Sequence, residues 1–183
     1  MEITIYDTET TGLLLPDNAP VENQPKIIEF YAVKLNENFE IIDEVNHLIN
    51  PYELVSDEIT RITGIKNKDL DGKPSFQEVA ADIHSIIEGT DLLVAHNLSF
   101  DLGMVNNEFK RWAIEPPTPK RTLCTVESTM GIRGFRLSLT RLHYILFQKE
   151  FKAHRAKDDV FALVRCFHEL TERGVIDLDL YKD

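Results

Sequence analysis

Hydrophobic positions along this chain follow two different periods. Ile3, Thr4, Ile5 and Tyr6 are β-rich and lead into Asp7. Residues 27–35 are nearly all apolar or β-branched, and residues 39–49 resume after a break at Asn36-Glu37-Asn38. These stretches predict a meander of three strands, with a loop over residues 10–25 where Gly, Pro and Asn punctuate the chain. The period changes further on. Ser75 and Glu78 are spaced as a capping box, and Phe76, Val79, Ala80, Ile83, Ile86 and Ile87 recur at helical spacing until Gly89. Residues 91–95 predict a short buried strand. Residues 99–112 predict a helix with Phe100, Met104, Val105 and Phe109 on one side. A proline loop at 116–119 follows, then a fifth strand over 121–126 and helices over 138–147 and 157–171. The last helix has Val160, Leu163, Val164 and Phe167 as its core stripe. The order predicts an α/β domain, a mixed sheet of about five strands with the meander first and helices flanking it. Residues 1–183 are expected to form one domain.

Composition narrows the class. Hydrophobic residues make up 43% of the chain, enough for one buried core. No apolar run approaches the roughly 18–20 residues that span a bilayer. The N-terminus has no basic signal region, so the expectation is a soluble, cytoplasmic protein with no membrane partner. Cys124 and Cys166 are too few for a disulfide framework, and neither has a partner at metal-ligand spacing. A net charge of −11 argues, taken alone, against a nucleic-acid partner. The distribution softens this. Between Gly131 and Arg165 stand eight basic residues (Arg133, Arg136, Arg141, Lys149, Lys152, Arg155, Lys157, Arg165) against three acidic ones.

Three motifs carry candidate chemistry. The first is Asp7-Thr8-Glu9-Thr10-Thr11-Gly12. Strand periodicity puts Asp7 and Glu9 on one face. Two like charges there repel, unless a hard divalent cation, which prefers carboxylate oxygen, reverses that effect. Gly12 is expected to let the chain turn away and a ligand approach the backbone. The second motif is His96-Asn97-Leu98-Ser99-Phe100-Asp101, with Asn97 at a helix cap and Asp101 in the first turn. The third is His154-Arg155-Ala156-Lys157-Asp158-Asp159, opening the last long helix. Each has a plain structural reading as well: a solvated strand end, a cap, or a first-turn acid favoured by the helix dipole.

Together, D-x-E, N-x-x-F-D and H-x-A-x-x-D, in this order and on these elements, resemble the DnaQ-like 3′→5′ exonucleases, the DEDDh group of the RNase H-like superfamily. The resemblance runs from residue 3 to about residue 170. Lys26-Ile27-Ile28-Glu29, Ile62-Thr63-Gly64-Ile65 and Leu137-Ser138-Leu139 agree with it. It implies that Asp7, Glu9, Asp101 and Asp159 hold two divalent ions, Mg²⁺ or Mn²⁺, and that His154 is the general base. The family spacing selects Asp159 over Asp158, and adjacent helical residues point about 100° apart. The resemblance also implies that Thr8, Thr10 and Leu13 contact the terminal nucleotide, partly through backbone amides, opposite Asn97 and Phe100. Thr63 stands where some relatives have histidine. The expected substrate is a nucleic-acid 3′ end, single-stranded DNA foremost, in proofreading or repair of the polymerase III epsilon type, with a polymerase as a possible partner. An RNA 3′-end exonuclease is the alternative. A catalytically silent RNase H-like binding module is a third reading, opposed by the filling of all five catalytic positions.

Overall fold

In the computed structural model, residues 1–182 are described, Arg133 by its backbone alone; Asp183 and the Arg133 side chain lie outside the described residues. The meander expected at the start is present as β1 (Ile3–Thr10), β2 (Ile27–Leu35) and β3 (Ile41–Leu48). Helices α1 (Asp57–Thr63), α2 (Asn67–Leu70) and α3 (Phe76–Ile87) follow. Then come β4 (Leu92–Ala95), α4 (Leu98–Arg111) and β5 (Thr122–Cys124). Short helices α5 (Thr125–Ser128) and α6 (Met130–Arg133) lead to α7 (Leu139–Phe147) and α8 (Ala156–Glu172). The strand order is β3-β2-β1-β4-β5. The meander is antiparallel, while β4 runs parallel to both β1 and β5.

Both faces of the sheet are covered. Ile3 and Ile5 pack with Tyr31, Val33, Val160, Leu163 and Phe167 on the α7–α8 face. Tyr6 packs with Phe30, Ile83, Val105 and Phe109 on the α3–α4 face. Double burial explains why β2 reads as a continuous apolar run rather than an alternation. The β3 edge strand is mostly exposed and carries Asp43, Glu44, Asn46 and His47. At α3 the capping box forms, with Ser75 accepting from the Glu78 amide and the Glu78 carboxylate accepting from the Ser75 amide at 2.7 Å.

Four expectations need correction. Strand β1 runs on to Thr10, because β2 offers it partners as far as Ile27, so Asp7 and Glu9 lie within a paired strand. Residues 125–126, expected as strand, enter α5. Cys124 already faces Ala95, the last residue of β4, and nothing remains to pair with. Helices α1 and α2, of 7 and 4 residues, were not expected; they are too short to establish a helical period. Gly12 keeps an ordinary backbone, and a Cβ there would meet only the Pro25 Cβ at 3.8 Å, so no special conformation requires glycine. The glycine that matters for this loop is Gly103 on α4. A Cβ on it would come within 2.8 Å of the Leu14 side chain, which lies against the helix there.

Candidate metal and active site

Alternation along β1 sends Asp7 and Glu9 to the side covered by α8, the side of Ile3 and Ile5. The first turn of α8 then delivers Asp159. One carboxylate oxygen from each of Asp7, Glu9 and Asp159 lies within 4.8 Å of the others. Asp159 is buried and the other two are half-buried, while Asp158 is exposed. The geometry therefore favours Asp159 over its neighbour.

Such crowding holds the acids toward their neutral forms. Burial, then the charges of Asp101, Asp159, Glu9 and Glu29, push Asp7 well above the carboxylate range. Burial first, then Asp159, Glu29 and Asp101, push Glu9 up to about 8. Burial pushes Asp159 up to about 6, opposed by the His154 amide. A set of oxygen-only donors, each destabilised as an anion, fits a hard divalent cation: the ion would lower all these pKa values together.

Asp101 adjoins this cluster without being one of its three mutually close members. Its Oδ1 accepts from the Thr8 amide at 3.1 Å and the Thr8 hydroxyl at 2.7 Å. Burial still pushes it up to about 7 against those two bonds. Thr8 is thus tied to Asp101 through both of its donors. The Thr10 hydroxyl is engaged by the Gly12 carbonyl at 2.8 Å. Leu13 is 81% exposed, and Phe100 is half-buried against the α3–α4 core.

Asn97 occupies the cap position of α4 but makes no side-chain cap bond. It sits in the left-handed region, φ 77°, and its Oδ1 accepts from Arg136 at 2.8 Å. His96 ties neighbouring segments together. Its Nε2 faces the Leu137 carbonyl at 2.9 Å, which can only accept, so Nδ1 is left to accept from the Thr125 hydroxyl at 2.9 Å. Burial lowers the His96 pKa, in keeping with a neutral ring.

His154 precedes α8 with φ 71°, a strained position for a residue with a Cβ. Its amide donates to Asp159 Oδ2 at 2.7 Å, and its side chain is exposed. The third motif therefore closes on itself, with the backbone of its first residue bonded to the side chain of its last.

Sequence reasoning missed the ion pair of Glu29 with Arg155, whose guanidinium reaches both carboxylate oxygens at 2.6–3.2 Å. A lone acid inside an apolar strand was the available signal, since a buried carboxylate needs a partner. The basic excess of the C-terminal third is partly used within the protein. Arg155 binds Glu29, Lys157 binds Glu44, and Arg136 binds Asn97.

The exonuclease family model (RNase_T) matches residues 4–167. The chain is 39% identical over 193 residues to a PolC-type DNA polymerase III of Halalkalibacterium halodurans, which covers 100% of this chain and 12% of the polymerase. It is 30% identical over 186 residues to the PolC-type enzyme of Staphylococcus aureus, covering 94% and 12%. The chain thus spans about an eighth of the length of these relatives. Among solved structures it is similar to the nuclease domain of 3'hExo, a DEDDh family member bound to rAMP. That match has TM-score 0.76 and 22% identity over 95% of this chain and 93% of the other. Exonuclease X in complex with 5′ overhanging duplex DNA matches with TM-score 0.70 and 22% identity over 97% and 95%. These two likenesses concern the fold.

Proposed function

The chain belongs to the exonuclease family, as its DnaQ-like motifs implied, and on that premise we propose that residues 1–183 form a single metal-dependent exonuclease domain acting on nucleic-acid 3′ ends. The product is a nucleoside 5′-monophosphate. The observation that carries this reading is the convergence of Asp7, Glu9 and Asp159, from two separate motifs, to within 4.8 Å. Two bound divalent ions, Mg²⁺ or Mn²⁺, would supply stabilisation of the attacking and leaving oxygens of a phosphodiester.

The residues divide the remaining work. Asp7, whose pKa responds to Asp101, Asp159 and Glu9 alike, is the central ligand. Glu9 and Asp159 flank it. Asp101 joins as fourth ligand, oriented by Thr8. His154 takes the proton of the attacking water, since imidazole titrates near working pH. Its exposed position beside Asp159 suits a base that meets substrate from solvent. Thr10, Leu13, Asn97 and Phe100 line the terminal-nucleotide pocket. Thr8 is assigned there too, but its two donors support it better as the orienter of Asp101.

DNA is the proposed substrate, in proofreading or repair, because the relatives at 39% and 30% identity are DNA polymerases. A polymerase is the matching partner and the cytoplasm the matching compartment. RNA is the second reading, favoured by the rAMP held by the structurally similar 3'hExo domain. The test digests matched single-stranded DNA and RNA oligonucleotides, labelled at the 5′ end, with Mn²⁺ and with excess chelator. A ladder shortening one nucleotide at a time, abolished by chelator and faster on DNA, is expected. Full activity in chelator would remove the metal reading; internal cuts would remove the exonuclease polarity.

A further inference from the structure

Glu29 stands near the start of β2, 2% exposed, opposite Glu9 in the strand register. Its carboxylate is engaged three ways. Arg155 Nε lies at 3.0 Å from one oxygen, Arg155 Nη2 at 2.6 Å from the other, and the Ala156 amide donates to it at 2.9 Å. The two guanidinium contacts form the planar fork that fixes direction as well as distance. The amide contact has a separate consequence. Arg155 is the cap residue of α8 and makes no side-chain cap bond of its own. An unsatisfied first amide is therefore met from another element, the strand that pairs with β1.

Arg155 also has particular neighbours in the chain. His154, in the left-handed region, precedes it, and Asp159 accepts from the His154 amide. Fixing Arg155 and Ala156 to Glu29 anchors that closed loop from within, next to His154. We propose that Glu29 and Arg155 are positioning residues, a brace that locks the first turn of α8 and the His154 backbone onto β2 and so holds Asp159 and His154 against Asp7 and Glu9. The brace also keeps Glu29, a fifth acid beside Glu9, engaged with a cation rather than free to join the ligand set. Only the turnover part of this proposal rests on the hydrolytic reading above.

The test compares the full chain with Arg155→Lys, which keeps the charge but loses the fork, Arg155→Ala, Glu29→Gln, and the Glu29→Gln/Arg155→Ala pair. Four quantities are measured: the metal-free thermal midpoint, hydrogen exchange at amides 154–157, Mn²⁺ affinity by calorimetry, and kcat and KM on a single-stranded oligonucleotide. Arg155→Lys should leave the midpoint within a few degrees while those amides exchange faster and Mn²⁺ binds more weakly. Its kcat should fall by on the order of 10²-fold, as small misplacements do, with KM nearly constant. The double variant should be no worse than the worse single one, because the two residues act as a unit. Unchanged exchange and unchanged Mn²⁺ affinity in both Arg155 variants would overturn the brace. So would a kcat loss matched by faster exchange across the whole chain, which marks a merely structural pair. If the parent hydrolyses nothing, the exchange and Mn²⁺ arms still decide the matter, and the failure belongs to the hydrolytic reading instead.

Discussion

Glu108 on α4 and Glu9 on β1 are both acids set largely inside the protein, and burial raises the pKa of each. Glu108 is answered from within. Arg111 lies 2.6 Å away, and the Ile27 amide donates at 3.0 Å. The same Arg111 donates to the carbonyls of Val21, Gln24 and Pro25, so the pair pins the loop after β1 to α4. Glu9 is surrounded instead by Asp159, Glu29 and Asp101, and the cation that lowers it, Arg155, is bound to Glu29. One acid is part of the architecture. The other sits in a cluster whose charge is left for something outside the protein to balance. A buried acid with a cation in the chain is costly to break, whereas a buried group of acids without one supports ligand binding at some expense of stability.

The largest test of that contrast is Asp7→Asn. Turnover should fall by several orders of magnitude, since the proposed central ligand is lost, while the metal-free protein at pH 8 should melt higher because folding no longer buries that carboxyl among other acids. Lower melting together with retained turnover would place Asp7 among the architectural acids. Asp158→Asn and Asp159→Asn sharpen the same test, with the second inactive and the first near parental. The reverse result would shift the register of the third motif by one residue.

Replacing His154 by alanine comes next. Turnover on an oligonucleotide should drop by on the order of 10²–10⁴ with little change in KM. The thermal midpoint should hold, because the side chain is exposed and the backbone bond to Asp159 survives the substitution. A variant with parental kcat and an unchanged activity–pH profile would reduce His154 to its backbone role of binding Asp159.

Arg111→Ala probes the other side. The side chains of Glu108 and Arg111 are 3% and 12% exposed, so removing one partner leaves a buried charge, at a loss of about 3–5 kcal/mol in denaturant unfolding. The folded fraction should keep near-parental kcat. A loss below about 1 kcal/mol would mean that the pair behaves like a surface bridge, and the contrast with Glu9 would lose its architectural half.

How much of this was legible in the chain depends on range. The meander, β4 and the four long helices α3, α4, α7 and α8 were readable because each is specified by its own local pattern, reinforced by capping serines at Ser75 and Ser138. The clustered acids were readable as motifs, since Asp7 and Glu9 share a face through strand geometry alone. What was not legible depends on pairing between distant segments. Arg155 meets Glu29 across 126 positions, and Asp101 meets Thr8 across 93. Neither contact leaves a spacing in the sequence. Glu29 was visible within the Lys26–Glu29 motif but not as a partner of Arg155, and nothing near Asn97, read as a cap or a nucleotide contact, revealed that Arg136 would claim its side chain.

The smallest effect is a tilt of stability with pH, and its sign separates the two regions. In the folded chain Glu9 is raised to about 8, Asp101 to about 7 and Asp159 to about 6, with Asp7 raised as well. Unfolded, such acids titrate near 4. Between those limits the native state binds more protons than the unfolded one, so stability falls as pH rises from about 4 to about 8. Glu78 and Asp91, held low by hydrogen bonds, act in the opposite sense, but only at and below about pH 4. Solvent reaches Asp7 and Glu9, so the tilt should amount to about 1–2 kcal/mol, or roughly 2–8 °C in the thermal midpoint of a domain this size. Glu108, raised by burial too, adds to the tilt but has no way to be relieved by a cation from solution. Melting curves in chelator at pH 5, 6, 7 and 8, repeated with Mn²⁺, separate the contributions. Mn²⁺ should raise the midpoint more at pH 8 than at pH 5, since at pH 5 it must displace protons to bind. Asp7→Asn should flatten the metal-free tilt, whereas Arg111→Ala should lower the whole curve and leave the Mn²⁺ increment intact. A metal-free midpoint that rises with pH, or an Mn²⁺ increment equal at both ends, would mean that these carboxylates are not held neutral by one another.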